Sequence, residues 1–168
     1  MQFKYLSLAP LAAGAFAQTM NLTATLKSNP DLTNLTSYVS LFPSLLSQLS
    51  MATNITILAP SNEAFAAFLN SSAGMAISLN DTAAIQAILS YHVLNGTYPA
   101  SSIMSTPAFI PTLLNSPAYS NVTGGQVVEA VAQGTSVEFF SGLLANSTVT
   151  TAVGEHGREV PIAFVNGV

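Results

Sequence analysis

The chain has 168 residues, of which 49% are hydrophobic and only 6% charged, with a formal charge of −4. Its three cations, Lys4, Lys27 and Arg158, are too few for the several phosphate contacts of a duplex-binding surface, which excludes nucleic acid as a partner and disfavours an anionic membrane surface. The absence of cysteine excludes disulfides, thiolate metal sites and cysteine nucleophiles.

At the N-terminus, Lys4 precedes an apolar run from Tyr5 to Ala15 that closes on Ala15-Phe16-Ala17. A positive start, an apolar stretch and a small-x-small end together read as a secretory signal peptide, with cleavage expected between Ala17 and Gln18. The run is shorter than the about 20 apolar residues that span a bilayer. No later stretch reaches that length without polar interruption, so no transmembrane segment is expected. The expected organisation is a signal peptide over 1–17, an N-terminal segment over 18–30 and one domain over 31–168. Roughly 150 mature residues are enough for one sizeable core.

Along the mature chain, Leu22 and Leu26 fit a short helix ended by Asn29-Pro30. Asp31 is expected to cap a helical segment carrying Leu32, Leu35 and Val39, and Pro43 suits the first turn of a helix running through Leu49. Ile55-Thr56-Ile57-Leu58-Ala59 reads as a buried strand stopped by Pro60. Asn62 is expected to cap the next helix, with Glu63 at its positive end. Asn70 to Asn80 reads as a loop of small residues. Asn80-Asp81 then opens a helix with Ile85, Ile88 and Leu89 on one face, which Tyr91-His92-Val93-Leu94 leaves as a strand. Pro99, Pro107, Pro111 and Pro117 break up the middle. Strand-like runs follow at Gln126–Val131, Ser136–Phe140, Ser147–Val153 and Pro161–Val165, separated by glycines. Helices first and strands later imply an α+β domain.

Asn-x-Ser/Thr acceptors occur at Asn21, Asn34, Asn54, Asn70, Asn80, Asn95, Asn121 and Asn146, eight of the twelve asparagines. Chance pairing with the 36 serines and threonines would give about 2.6 such motifs. A threefold excess points to an N-glycosylated secreted protein and gives the low charge a meaning. A surface this poor in charge invites self-association, and hydrated glycans supply solubility that charge does not.

The segment Ile55-Thr56-Ile57-Leu58-Ala59-Pro60-Ser61-Asn62-Glu63-Ala64-Phe65-Ala66-Ala67-Phe68 resembles the first signature of the fasciclin domain. That signature is a strand, then Ala-Pro-Thr/Ser-Asn/Asp, an acidic residue, Ala and Phe; here it falls on Ala59, Pro60, Ser61, Asn62, Glu63, Ala64 and Phe65. Leu89-Ser90-Tyr91-His92-Val93-Leu94 is similar to the family's Tyr-His motif at the expected distance. Gly96-Thr97-Tyr98-Pro99-Ala100-Ser101-Ser102-Ile103 and Thr123-Gly124-Gly125-Gln126-Val127-Val128 also resemble family segments. The resemblance runs from about Asp31 to the C-terminus. It implies an α+β wedge of strands with helices packed around it, and an extracellular role in cell adhesion, matrix contact or wall attachment rather than catalysis. The family's second signature, an apolar strand with His and Asp after an Asn-Gly turn, has no counterpart. The chain stops at Phe164-Val165-Asn166-Gly167-Val168, where that closing strand should begin. Either the chain is truncated there or this member compensates in another way.

Tyr91 and His92 are the sharpest candidate site, because in some animal members the region around this motif is linked to integrin-mediated adhesion. The competing reading is a core histidine bonded to nearby backbone, since buried polar groups are nearly always paired. Asn62 and Glu63 fit helix-end roles. His156, between Glu155 and Glu159 in a Gly-flanked loop, could titrate, but such clusters are ordinary turn chemistry. Glu129 and Glu138 lie on separate predicted strands and could approach each other, but paired carboxylates for glycoside hydrolysis also need a cleft. No nucleophile elbow, zinc-protease helix, phosphate loop or dinucleotide fingerprint is present, so no catalytic residue, cofactor or metal is expected. Two functions remain: a non-catalytic module binding cell-surface, wall or matrix proteins or polysaccharides, and an extracellular carrier of a small apolar ligand.

Overall fold

One strand organises the domain. β1 (Ile55–Pro60) is buried on both faces, as a continuous apolar run bounded by a proline should be. Its alternate side chains feed two different cores. Ile55, Ile57 and Ala59 join Leu22, Leu26, Leu32, Leu35, Val39 and Val93 in one cluster, whereas Leu58 joins Leu94, Ile110, Val128, Ala130, Phe139 and Val165 in a second.

The computed structural model describes residues 22–77, 81–120, 122–142, 145–153 and 162–166. The helices are α1 (Leu22–Ser28), α2 (Thr33–Ser40), α3 (Pro43–Met51), α4 (Asn62–Asn70), α5 (Ser72–Ala76) and α6 (Thr82–Tyr91). Single 3-10 turns lie at Pro30–Leu32 and Ala100–Ser102. After β1 the strands are β2 (Val93–Asn95), β3 (Ala108–Pro111), β4 (Val127–Gln133), β5 (Ser136–Phe140), β6 (Asn146–Val153) and β7 (Ile162–Asn166). The domain is α+β, as its pattern of segments implies.

The seven strands form one sheet in the order β2-β1-β7-β6-β5-β4-β3. Only β1 and β7 pair in parallel, with Ile57 opposite Ile162 and Pro60 opposite Val165; every other pair is antiparallel. The two ends of the sheet then meet. Leu94 on β2 bridges Thr112, just beyond β3, and the Leu113 N–H donates to the Val93 carbonyl at 2.8 Å. The sheet is therefore rolled, and the second cluster fills its interior with side chains from six strands. Joining the ends protects edges that would otherwise be open to pairing with another chain. Helices α1 and α2 cover the outer face of β1 and β2, where the first cluster lies.

Several local expectations are corrected. Asn70–Asn80 is not all loop, because Ser71 caps α5 by accepting from the Gly74 N–H at 3.0 Å. Tyr91 ends α6 and His92 is its C-cap, so the strand starts only at Val93. Asp31 caps nothing: the Asn29 side chain accepts from the Asp31 N–H at 2.9 Å and opens the 3-10 turn. Nor does Asn62 cap its own helix. Ser61 does, accepting from the Ala64 N–H at 3.1 Å. The proline-rich middle contains β3, and Pro111 is tolerated in it because an end strand of the sheet need not donate at every residue. β7, the last described strand, sits in the middle of the sheet between β1 and β6. The signal segment with Ala17 and Gln18, the sequons at Asn21, Asn80 and Asn121, and the loop holding His156 lie outside the described residues.

Candidate functional site

The Tyr-His pair is set by the end of α6. Asp81 starts this helix by accepting from the Ala84 N–H at 2.9 Å, and the helix ends where His92 turns out of it with φ −82° and ψ 3°. A helix leaves its last carbonyls without partners. The His92 backbone N–H donates to the Ile88 and Leu89 carbonyls, at 3.3 and 3.2 Å. Its ring Nδ1 also lies 2.8 Å from the Ile88 oxygen. A carbonyl can only accept, so Nδ1 carries the proton in this contact. The His92 carbonyl in turn accepts from the Leu58 N–H at 2.8 Å. His92 thus closes α6 and ties it to β1 at the same point.

Both side chains are half-buried, with ring centroids 6.1 Å apart and planes at 89°. Tyr91 packs against the interior of the rolled sheet. Burial lowers the basicity of His92, partly offset by the Ile88 hydrogen bond. Burial also raises the pKa of the Tyr91 hydroxyl, against a backbone hydrogen bond at Gly142.

The first signature lies elsewhere on the same strand and serves as a junction. Ala59 is fully buried. The Ser61 N–H donates to the Val165 carbonyl at 3.0 Å, and the Ser61 carbonyl accepts from the Phe65 N–H at 2.8 Å. Asn62 reaches out of its helix to α2. Its Oδ1 accepts from the Asn34 N–H at 2.9 Å, and its Nδ2 donates to the Pro30 carbonyl at 2.9 Å and to Thr33 Oγ1 at 3.0 Å. Glu63 is exposed in the first turn of α4, where the helix dipole favours a negative charge. Ala64 is buried, and Phe65 meets Tyr38 of α2 with ring centroids 4.8 Å apart. The signature therefore binds β1, β7, α4 and α2 together. The Asn62 side chain reaches the 3-10 turn and α2, whereas the His92 ring reaches back into α6.

The sequons form the third set. Asn34, Asn54, Asn70, Asn95 and Asn146, the five acceptor asparagines among the described residues, are all exposed. They lie on α2, before β1, at the end of α4, at the end of β2 and at the start of β6. Two of them meet. Asn54 is the one non-glycine described residue with positive φ, at 58°, a conformation that Asn tolerates better than most residues. Its Oδ1 accepts from Thr97 Oγ1 at 3.1 Å.

Glu129 and Glu138 do approach each other as neighbours. Glu129 is opposite Phe140 and Glu138 is opposite Val131, so the two lie diagonally on the sheet face turned away from the interior. Glu138 accepts from Gln133 Nε2 at 3.3 Å. Among the described residues no three His, Cys, Asp or Glu side chains cluster as metal ligands. No described helix is long and apolar enough to cross a membrane.

Sequence reasoning missed the reach of Asn62 across to α2. The available signal was Ser61-Asn62: of two adjacent residues able to cap, only one can cap the helix that follows.

The comparisons with known proteins point one way. A protein-family model described as "Fasciclin domain" matches residues 30–152. The chain is 33% identical over 121 residues to a "Fasciclin-like arabinogalactan protein" of Arthroderma benhamiae, covering 71% of this chain and 29% of that protein. It is 32% identical over 115 residues to "Fasciclin-like arabinogalactan protein elcF" of Phaeosphaeria nodorum, covering 68% of this chain and 36% of that one. The matched region is thus about a third of each relative's length. Among solved structures, a FAS1 domain pair from the insect cell adhesion molecule Fasciclin I superposes with a TM-score of 0.56 at 20% identity, covering 79% of this chain and 43% of the other. That likeness is one of fold. The family match spans the elements from the first 3-10 turn into β6, including both the Ala59–Phe65 junction and the Tyr91-His92 helix end, and the chain belongs to the fasciclin domain family.

Proposed function

We infer that the protein is a secreted, N-glycosylated, non-catalytic module that makes adhesive contacts at the cell surface, in the wall or in the extracellular matrix. Membership of the fasciclin domain family is the observation that carries this reading. The Lys4–Ala17 segment and the exposure of all five described acceptor asparagines support the secretory and glycosylated part. The partners are surface or matrix proteins or polysaccharides, contacted through the outer surface of the fold. Tyr91 and His92 contribute indirectly: their contacts hold the end of α6 against β1 and the sheet interior, so any effect of this motif on adhesion runs through the placement of that helix.

The test is adhesion itself. Beads coated with the purified glycosylated protein should be retained on cells or on isolated wall polysaccharide, above beads coated with an unrelated glycoprotein. Equal retention of the two bead types would sink the reading. A small apolar molecule co-purifying in native mass spectrometry, with no retention, would favour a carrier instead.

A further inference from the structure

The sequons at Asn54-Ile55-Thr56 and Asn95-Gly96-Thr97 are locked into each other in the folded domain. Ile55 pairs with Asn95 across β1 and β2. Thr56 is 1% exposed, and its hydroxyl is fully engaged. It donates to the Gly96 carbonyl at 2.8 Å and accepts from the Tyr98 N–H at 2.8 Å. Thr97 returns the contact from the exposed side, donating to Asn54 Oδ1 at 3.1 Å. Each sequon's hydroxyl residue is thus bonded to the other sequon.

The acceptor motif needs both the asparagine amide and the hydroxyl two residues later. In the reaction, the Asn Nδ2 attacks the anomeric carbon of a lipid-diphosphate-linked oligosaccharide held by a membrane transferase. An N–C bond forms and the C–O bond to phosphate breaks. The lipid diphosphate leaves with that electron pair, and the amide proton passes to a carboxylate of the transferase. For Asn95 the required hydroxyl belongs to Thr97, which is exposed. For Asn54 it belongs to Thr56, which folding removes from reach.

We propose that Asn54 is a glycosylation site open only before β2 pairs with β1, while Asn95 remains open after folding. Synthesis supplies the window. Gly96 lies 40 residues after Thr56, so at about 5–20 residues per second the Asn54 sequon waits roughly 2–8 s before its partner strand exists. A glycan on Asn54 is compatible with the folded state, because the residue is exposed and its Oδ1 can keep the Thr97 bond while Nδ2 carries the sugar. This inference rests on the secretory reading above.

The test is translation of the full chain into microsomes in two arms, with site occupancy mapped by mass spectrometry. In the first arm, lipid-linked donor is present throughout synthesis. In the second it is withheld until the chain is protease-resistant and then restored. Both sites should be occupied in the first arm, and only Asn95 in the second. Late occupancy of Asn54 equal to that of Asn95, or no late occupancy of Asn95, overturns the ordering while leaving secretion intact. An empty Asn54 in the first arm overturns the proposal, and eight empty sequons in that arm would overturn the secretory reading as well.

Discussion

The Asn62 side chain holds the Asn34 backbone N–H at 2.9 Å, so the start of α2 is capped from α4, 28 residues away in the chain. α2 has no side-chain cap from its own preceding residue, Leu32. The same amide donates to the Pro30 carbonyl, which fixes the approach of the 3-10 turn. One polar side chain thus ties α4 to the start of α2 and to the 3-10 turn before it.

Replacing Asn62 with Ala should cost about 1–2 kcal/mol, the usual loss for an N-cap. Asn62→Asp keeps an acceptor for Asn34 but loses the donor to Pro30, so its cost should be smaller. Ser61→Ala removes the local cap of α4 and should cost about 1 kcal/mol independently. Urea unfolding midpoints of the three variants would decide. Equal stability of Asn62→Ala and wild type would remove the cap from the explanation of the fold.

Thr56→Val keeps shape but strands the buried Gly96 carbonyl and Tyr98 N–H. An unsatisfied buried group costs about 1–3 kcal/mol, so the variant should unfold at clearly lower urea. Thr56→Ser retains the hydroxyl and should lose less. Both are best compared in unglycosylated protein, because Val also destroys the Asn54 sequon. A Val variant as stable as the Ser variant would contradict the hydrogen-bonding role.

His92 gives a pH dependence with a definite sign. Burial depresses its pKa in the folded state, below the about 6.5 of an unfolded histidine. In the window between the two values the unfolded chain binds the extra proton, so stability falls as pH drops through it. Its contribution is fully present above about pH 6.5. His92→Gln should therefore show a flatter stability profile than wild type from pH 7.5 down to 5, after subtraction of the other titrating groups common to both. Parallel profiles would show that the folded state does not desolvate the ring enough to lower its pKa.

Leu94 is 0% exposed inside the rolled sheet, next to the bridge that joins the ends of the sheet. Leu94→Ala should cost about 2–5 kcal/mol. Exposed Met51, at 72%, should tolerate Ala within about 0.5 kcal/mol. Thermal or urea unfolding of the pair separates a core position from a surface one. A Leu94→Ala cost no larger than that of Met51→Ala would contradict the rolled arrangement.

Local structure was readable where one signal dominated. Ile55–Ala59 was plain as a strand because it is continuously apolar and stopped by Pro60. The α6 start was plain because Asp81 caps a clear apolar face. α5 escaped because Ser-Ala-Gly-Met-Ala carries no apolar period, and its cap at Ser71 belongs to the preceding turn. β3 escaped because Pro107 and Pro111 look like breakers, whereas the end of a sheet tolerates them. The parallel seat of β7 beside β1, and the meeting of β2 with β3, are long-range pairings that no local pattern specifies. At the candidate site, Tyr91-His92 was found as a motif. Its structural part, a ring nitrogen on Ile88 and a carbonyl on Leu58, depends on where α6 ends relative to β1.

Under the function proposed above, this charge-poor fasciclin domain works outside the cell clothed by N-glycans, and the mass of the secreted product tests that most directly. The full chain, expressed in a eukaryotic secretory host, is recovered from the medium and its mass is compared before and after enzymatic removal of N-glycans. The expected result is a product in the medium that begins at Gln18 and drops sharply in mass on treatment, with sugars mapped to exposed sequons such as Asn34 and Asn146. Retention inside the cell with an intact N-terminus, or a mass unchanged by the enzyme, would contradict it.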